Sequence, residues 1–104
     1  RVHNSGHWTL EGAETSQFEN HLRAVAGLPL GSTQAIGPSA MLNCIGELPP
    51  SEEVLAIEGA HLHHYAKRDR PGRKVGHIGL RAGDPSGLEQ ILTQAEALVN
   101  QSNC

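Results

Sequence analysis

Apolar positions along the chain follow two spacings, one of three to four residues and one of two. Phe18, Leu22, Val25 and Ala26 recur at helical spacing within residues 16–26, which predicts a helix with one apolar stripe. Ser16 is placed to cap it with Glu19 at the capping-box position, and Glu19 precedes Arg23 in the favourable i,i+4 order. Gly27 ends it as a residue that readily takes φ > 0. A cleaner stripe of Leu88, Ile91, Leu92, Ala95, Leu98 and Val99 predicts a second helix over residues 88–99. A turn of Asp84, Pro85, Ser86 and Gly87 leads into it, and a polar, frayed tail from Asn100 to Cys104 follows.

Alternation predicts strands over residues 39–45, 60–66 and 74–80. Leu28, Pro29, Leu30 and Gly31 read as an apolar turn, and Pro49-Pro50 breaks the chain. Beyond that break Ser51 is the expected cap of one short helical turn running to Ile57, with Glu52 and Glu53 suiting its positive end and Gly59 stopping it. Residues 1–12 show no hydrophobic period and read as a loop or the end of a strand. The expected fold is α+β, a small and mainly antiparallel sheet with two principal helices.

Composition narrows the picture. At 104 residues, with 38% hydrophobic residues and one each of Trp, Tyr and Phe, this is at most one small domain with an aliphatic core. Twelve Gly and six Pro fit many turns and short elements. No apolar run approaches the roughly 20 residues of a membrane span, and no secretory leader pattern is visible. Cys44 lies in an apolar run and Cys104 at the last position, which is no disulfide framework, so a reducing, cytoplasmic setting is expected. The chain opens on Arg1 rather than Met, so a piece of a longer protein is expected.

Charge is distributed unevenly. The formal net charge is -3, which argues against general nucleic-acid binding, yet Lys67, Arg68, Arg70, Arg73 and Lys74 hold most of the 8 Lys and Arg. They flank Pro71-Gly72, a pair that favours a tight turn. Such a cluster suits a phosphate, bound bidentately by Arg and as a point charge by Lys; it equally suits a solvated hairpin tip. The opening segment gathers Arg1, His3, Asn4, Ser5 and His7, donors able to hold an oxyanion and move a proton, or a polar surface loop anchored by Trp8.

His61, His63 and Tyr65 share one face of their strand, and the two histidines with His77 on the partner strand offer a zinc set. No Cys or carboxylate stands at ligand spacing nearby and the basic turn repels a cation, so stacked, hydrogen-bonded packing is the better reading. Asn43, flanked by apolar residues, needs partners as a structural amide or a ligand contact, and Cys44 reads as a small core hydrophobe.

Three stretches together resemble one family. They are Arg1-Val2-His3-Asn4-Ser5-Gly6-His7-Trp8-Thr9, then Ser16-Gln17-Phe18-Glu19-Asn20-His21-Leu22-Arg23-Ala24 with Gly27-Leu28-Pro29-Leu30-Gly31, and Gly59-Ala60-His61-Leu62-His63 followed by Arg70-Pro71-Gly72-Arg73-Lys74-Val75-Gly76-His77. In order they are similar to the C-terminal portion of 5-(carboxyamino)imidazole ribonucleotide synthases, the ATP-grasp carboxylases of purine biosynthesis. The resemblance implies a cytoplasmic, homodimeric ligase using ATP and magnesium. Such an enzyme phosphorylates bicarbonate to carboxyphosphate and carboxylates the amine of 5-aminoimidazole ribonucleotide. It implies catalytic roles for Arg1, His3 and Asn4 at bicarbonate, support from Ser5 and His7, and ribonucleotide phosphate binding by Lys67 with Arg73 or Lys74.

The same resemblance implies that residues 1–33 end the ATP-grasp domain, that residues 34–104 form a small β-rich C-terminal domain, and that the magnesium ligands lie upstream. The piece alone is then expected to be inactive. This chain departs from the family in having Ala66 where a Gly is common and His64 where a bulky apolar or aromatic residue is common. The alternatives are a stand-alone module binding a phosphorylated metabolite, and a zinc-stabilised interaction domain.

Overall fold

A computed structural model describes residues 2–102. A single 3₁₀ turn, Asn4–Gly6, and a one-turn helix α1, Thr9–Gly12, precede α2, Gln17–Val25. Strand β1, Ser39–Ile45, is followed by α3, Ser51–Leu55, then by β2, Ala60–His64, and β3, Lys74–Arg81. Helix α4, Pro85–Ser102, closes the described chain. The strands form one antiparallel sheet in the order β1-β3-β2, the α+β arrangement expected from the patterning.

The central strand sets the layering. Leu42, Ile78 and Leu62 stand in one cross-strand row, and Ala40, Leu80 and Ala60 in another. This apolar face meets Val54 and Ile57 from the α3 region and Ala95 and Val99 from α4, forming the core together with Cys44 and Val75. The opposite face carries Asn43, His77 and His63 in a third row, because alternate residues of a strand point to opposite sides. Residues 12–14 bridge to residues 34–36 through Glu14 N–H to Gln34 O and Ile36 N–H to Gly12 O, which ties the N-terminal segment to the run entering β1.

Local chemistry explains most boundaries. Ser16 Oγ accepts from the Glu19 N–H, Glu19 pairs with Arg23, and Gly27 takes φ 71° just past the end of α2. The short helix behaves differently from its expectation. Its N-cap is Pro50, not Ser51, and the Pro50 carbonyl receives both Glu53 and Val54 N–H groups. It also stops at Leu55, with the Ile57 N–H making a tighter bond to Val54 O.

The last helix begins earlier than its stripe. Asp84 Oδ1 accepts from Gly87 N–H at 2.6 Å, and Pro85 occupies the first helical position, so the expected turn is the first turn of α4. The expected fraying at Asn100 is replaced by helix through Ser102, since polar residues end an apolar stripe without ending a helix; Cys104 lies outside the described residues.

The largest correction concerns the opening segment. It is not a loop or strand end but two short helical turns, too brief to show a period and held by contacts distant in sequence. Strand β2 also ends at His64 rather than Ala66. Ala66 sits at φ 58°, its N–H bonded to His64 Nδ1, in the left-handed region that favours glycine. The strand thus ends just before a backbone position that suits glycine better than alanine. Replacing Ala66 by Gly is expected to relieve this conformation and stabilise the chain by about 0.5–1 kcal/mol, read from urea unfolding; an unchanged or lowered midpoint counts against strain at this position.

Candidate functional site

The polar face of the sheet gathers side chains from four separate parts of the chain. His77, central and 1% exposed, donates to or accepts from Tyr65 Oη through Nδ1 at 2.8 Å. The His63 ring stacks on it at 4.4 Å and 16°, and the His7 ring tilts against it at 5.3 Å and 51°. From α1, Glu11 accepts a hydrogen bond from His63 Nε2 at 2.5 Å, so that nitrogen carries the proton. The Glu11 carboxylate lies over Gly79, where a Cβ would collide with it, so glycine at that place in β3 makes room for the acid. Arg81 Nη1 donates to Glu11 O and holds α1 down on the strand.

One amide organises the opening loop. His3 N–H donates to Gln17 Oε1 at 2.9 Å, while Gln17 Nε2 donates to His3 O and to His7 Nδ1, both at 2.7 Å. Both amide hydrogens of Gln17 are thereby used. His7 accepts at Nδ1, so its neutral ring carries a proton at Nε2. Thr9 Oγ1 accepts from Gln17 N–H and donates to Gly6 O, closing the turn that presents Asn4, Ser5 and His7. His3 and Ser5 are exposed, and Asn4 and His7 are half-buried.

The basic turn lies beyond the other end of this row. Lys67 Nζ stands 5.7 Å from the Tyr65 ring centroid, within cation–π range. Arg73 Nη1 donates to Arg68 O, its N–H bonds Arg70 O, and Gly72 takes φ 77°, so the Pro-Gly bend is closed by its own residues. Lys67 and Lys74 are exposed, and Arg73 is half-buried.

Of the sequence-predicted site residues, His7 and Lys67 join one connected group through Tyr65 and His77, and His3 joins it through Gln17. Asn4 and Ser5 share the loop that Gln17 fixes. Arg73 and Lys74 join only through the turn and β3, and Arg1 lies outside the described residues. Glu11 and Gln17 are parts of the group that patterning missed, and patterning puts Tyr65 on the His63 face without giving it a role. Glu11 reaches His63 across 52 residues of chain, and no local spacing announces such a contact.

The zinc set of His61, His63 and His77 does not form. His61 is exposed, and Glu11 instead places a carboxylate oxygen within 4.8 Å of nitrogens of His63 and His77. The expectation that no carboxylate stands near these histidines is thus corrected. Even so, two nearly parallel imidazoles cannot both hold one ion in their ring planes, and His63 Nε2 is already committed to Glu11. Stacked, hydrogen-bonded packing describes these rings.

Burial fixes the charge state at the centre of the row. It lowers the His77 pKa to about 4, with His63 and His7 adding to the effect. It also pushes the Tyr65 hydroxyl upward, with a smaller contribution from Cys44, and raises the Cys44 thiol to about 11, which leaves that thiol unreactive. His77 is therefore neutral at pH 7. An unfolded chain takes up a proton at an ordinary histidine pKa, whereas folded His77 resists it until about 4. The stability from this group is full above pH about 6.5 and falls as pH drops from there towards 4. Urea unfolding across that window should show a shallower pH dependence in His77→Phe than in the parent chain; identical slopes would place the proton uptake elsewhere.

Comparison with known proteins agrees with the fold. The profile of the phosphoribosylaminoimidazole carboxylase C-terminal domain matches residues 39–91, from β1 into α4. N5-carboxyaminoimidazole ribonucleotide synthase of Pseudomonas aeruginosa is 63% identical over 99 residues, covering 95% of this chain and 28% of that protein. The crystal structure of N5-carboxyaminoimidazole ribonucleotide synthetase from Thermus thermophilus superposes with a TM-score of 0.92 at 68% identity, over 94% of this chain and 27% of that one. A structure of the Aspergillus clavatus synthase in complex with ADP and 5-aminoimidazole ribonucleotide superposes with a TM-score of 0.87 at 40% identity, over 96% of this chain and 29% of that one. The chain thus spans little more than a quarter of the length of the relatives it matches. A domain profile over half of the chain, and relatives that agree along nearly all of it, show that the chain belongs to the N5-carboxyaminoimidazole ribonucleotide synthase family and carries that family's C-terminal domain.

Proposed function

We propose that this chain is the C-terminal part of an ATP-dependent carboxylase that joins bicarbonate to the amino group of 5-aminoimidazole ribonucleotide in purine biosynthesis. The reaction forms a C–N bond at the expense of ATP and is a ligase reaction, not a lyase one. The observation that carries the reading is the continuous row from Lys67 through Tyr65 and His77 to His7, which links a cationic turn to a loop of oxyanion donors. A ribonucleotide with a phosphate at one end and a reacting amine at the other needs two such regions in one site. The complex of the Aspergillus clavatus relative with ADP and this ribonucleotide supports the choice of substrate.

In this reading the loop of residues 3–7 faces carboxyphosphate. Asn4 and His3, with Arg1, bind bicarbonate and stabilise the charge that develops as its oxygen attacks the γ-phosphate of ATP. Ser5 and His7 support that loop. Carbon dioxide released from carboxyphosphate is then attacked by the amine of the ribonucleotide, held in place by contacts to its phosphate. Lys67 and the Pro-Gly turn, through Arg73 or Lys74, supply those contacts. Magnesium prefers an oxygen shell, and the grouping of Glu11 with two imidazoles does not fit it. Its ligands are assigned to the longer protein.

The same reading divides the chain near residue 33. Leu22 and Val25 on α2 are 67% and 75% exposed, so beyond Phe18, which meets the His7 ring, the stripe of this helix has no cover among the described residues, and the family profile begins only at residue 39. Residues 1–33 are accordingly the end of an ATP-grasp domain whose remaining elements cover α2. The whole protein is proposed to be a cytoplasmic homodimer; no helix among the described residues is long and apolar enough to cross a membrane.

Steady-state kinetics of the full-length enzyme test the two regions separately. Replacing Arg73 by Ala should raise KM for the ribonucleotide about tenfold with little change in kcat, as expected for a contact made equally before and during reaction. Replacing His3 by Ala should instead lower kcat about a hundredfold. Unchanged constants in both variants would remove these role assignments.

A further inference from the structure

We propose that His77 is a positioning residue for this reaction, a buried imidazole that fixes the phosphate-binding side of the site relative to its bicarbonate-binding side by gripping Tyr65 with one nitrogen and His7 and His63 with its ring. The inference rests on the function proposed above and adds a residue to it.

Burial rules out direct contact with substrate. His77 is 1% exposed, in the middle of the central strand, and every one of its interactions is with another part of the protein. Packing alone does not account for a histidine there. Among the described residues its Nε2 is buried without a hydrogen-bond partner, and so is Oδ1 of Asn43, its cross-strand neighbour. An unpartnered buried polar atom costs about 1–3 kcal/mol, so a site chosen only for packing favours an apolar ring. The polar nitrogen that is engaged, Nδ1, meets the one side chain of β2's end that also touches the basic turn.

The links on either side are specific. Tyr65 receives the Lys67 ammonium over its ring, so the angle of that ring sets where the lysine stands. His7 lies between the rings of His77 and Phe18 and accepts from Gln17, whose amide also grips both backbone groups of His3. A shift of the imidazole of His77 is therefore felt at Lys67 in one direction and at His3 in the other. The groups facing it are His7 and Glu11 from the N-terminal segment, His63 from β2, Tyr65 just beyond it, and Asn43 from β1. Among them Glu11 alone is a carboxylic acid, and it is occupied by His63. An uncharged imidazole keeps the crowded rings together.

The test uses the full-length enzyme and the variants Tyr65→Phe, His77→Phe and their double combination. Wild-type protein that fails to carboxylate the ribonucleotide would overturn the proposed function itself, before any variant is considered. With an active wild type, Tyr65→Phe should raise KM for the ribonucleotide about fivefold to tenfold and leave kcat nearly unchanged, since only the phosphate side is released. His77→Phe should raise that KM similarly and also lower kcat about tenfold, because His7 is released as well. The double variant should match His77→Phe alone. Independent, multiplying effects of the two substitutions, or a His77→Phe enzyme with wild-type constants and a merely shifted unfolding midpoint, would overturn the inference. Should His77→Phe not fold, Tyr65→Phe decides: an unchanged KM for the ribonucleotide overturns it.

Discussion

A central strand flanked on both edges and covered on both sides has no face left for water. In β3 that constraint falls on six consecutive residues, Val75, Gly76, His77, Ile78, Gly79 and Leu80, all of them buried. Its two faces must be satisfied in different ways. Ile78 and Leu80 are closed over by aliphatic side chains from α3 and α4, an arrangement stabilised by removing apolar surface from water. His77 looks the other way, and a polar ring without water needs neighbours of its own.

Everything on the second face follows from that need. Tyr65 satisfies one nitrogen of His77, His63 and His7 cover its ring, and Glu11 satisfies His63. The segment that carries His7 and Glu11 has little intrinsic tendency to fold, being a 3₁₀ turn and a single helical turn. It is ordered by tertiary contacts instead, by Gln17 at the start of α2, by Arg81 at the end of β3, and by the bridge between Ala13 and Ala35. The loop bearing His3, Asn4 and Ser5 is thereby shaped by elements that lie far from it along the chain. Rigid elements holding a polar loop are what precise placement of reacting groups requires.

The electrostatic division of the surface has the same origin. Charges that must remain charged, Lys67 and Lys74, stand in water at the exposed turn, where their hydration is retained. On the covered face, burial favours the neutral form of His77, whose pKa it lowers, and of Tyr65, whose pKa it raises. A protein of net charge -3 can in this way present a concentrated positive patch beside an interior row centred on a neutral imidazole.

How much of this is legible in the residues alone depends on the range of the interaction. Periodicity located both long helices, all three strands and the Pro-Gly bend, and the cap at Ser16, the pair of Glu19 with Arg23 and the stop at Gly27 followed from local chemistry. These depend on contacts within one or two turns, which spacing encodes directly. Within these elements local rules misplaced edges: the start of α4, which Asp84 and Pro85 move forward, its end, which runs on to Ser102, and the end of β2, which Ala66 cuts short. The resemblance likewise rested on short motifs in order. What the linear pattern leaves undetermined is which histidines meet, which one is left exposed, and which acid reaches them. Strand order and register decide that His63 and Asn43 flank His77, and the fold of the opening segment decides that Glu11 crosses 52 residues to meet His63. Residue order alone settled the elements and the cationic turn, because those rest on neighbours along the chain; the row of rings that joins the turn to the loop exists only once the sheet has formed and water has been excluded from one of its faces.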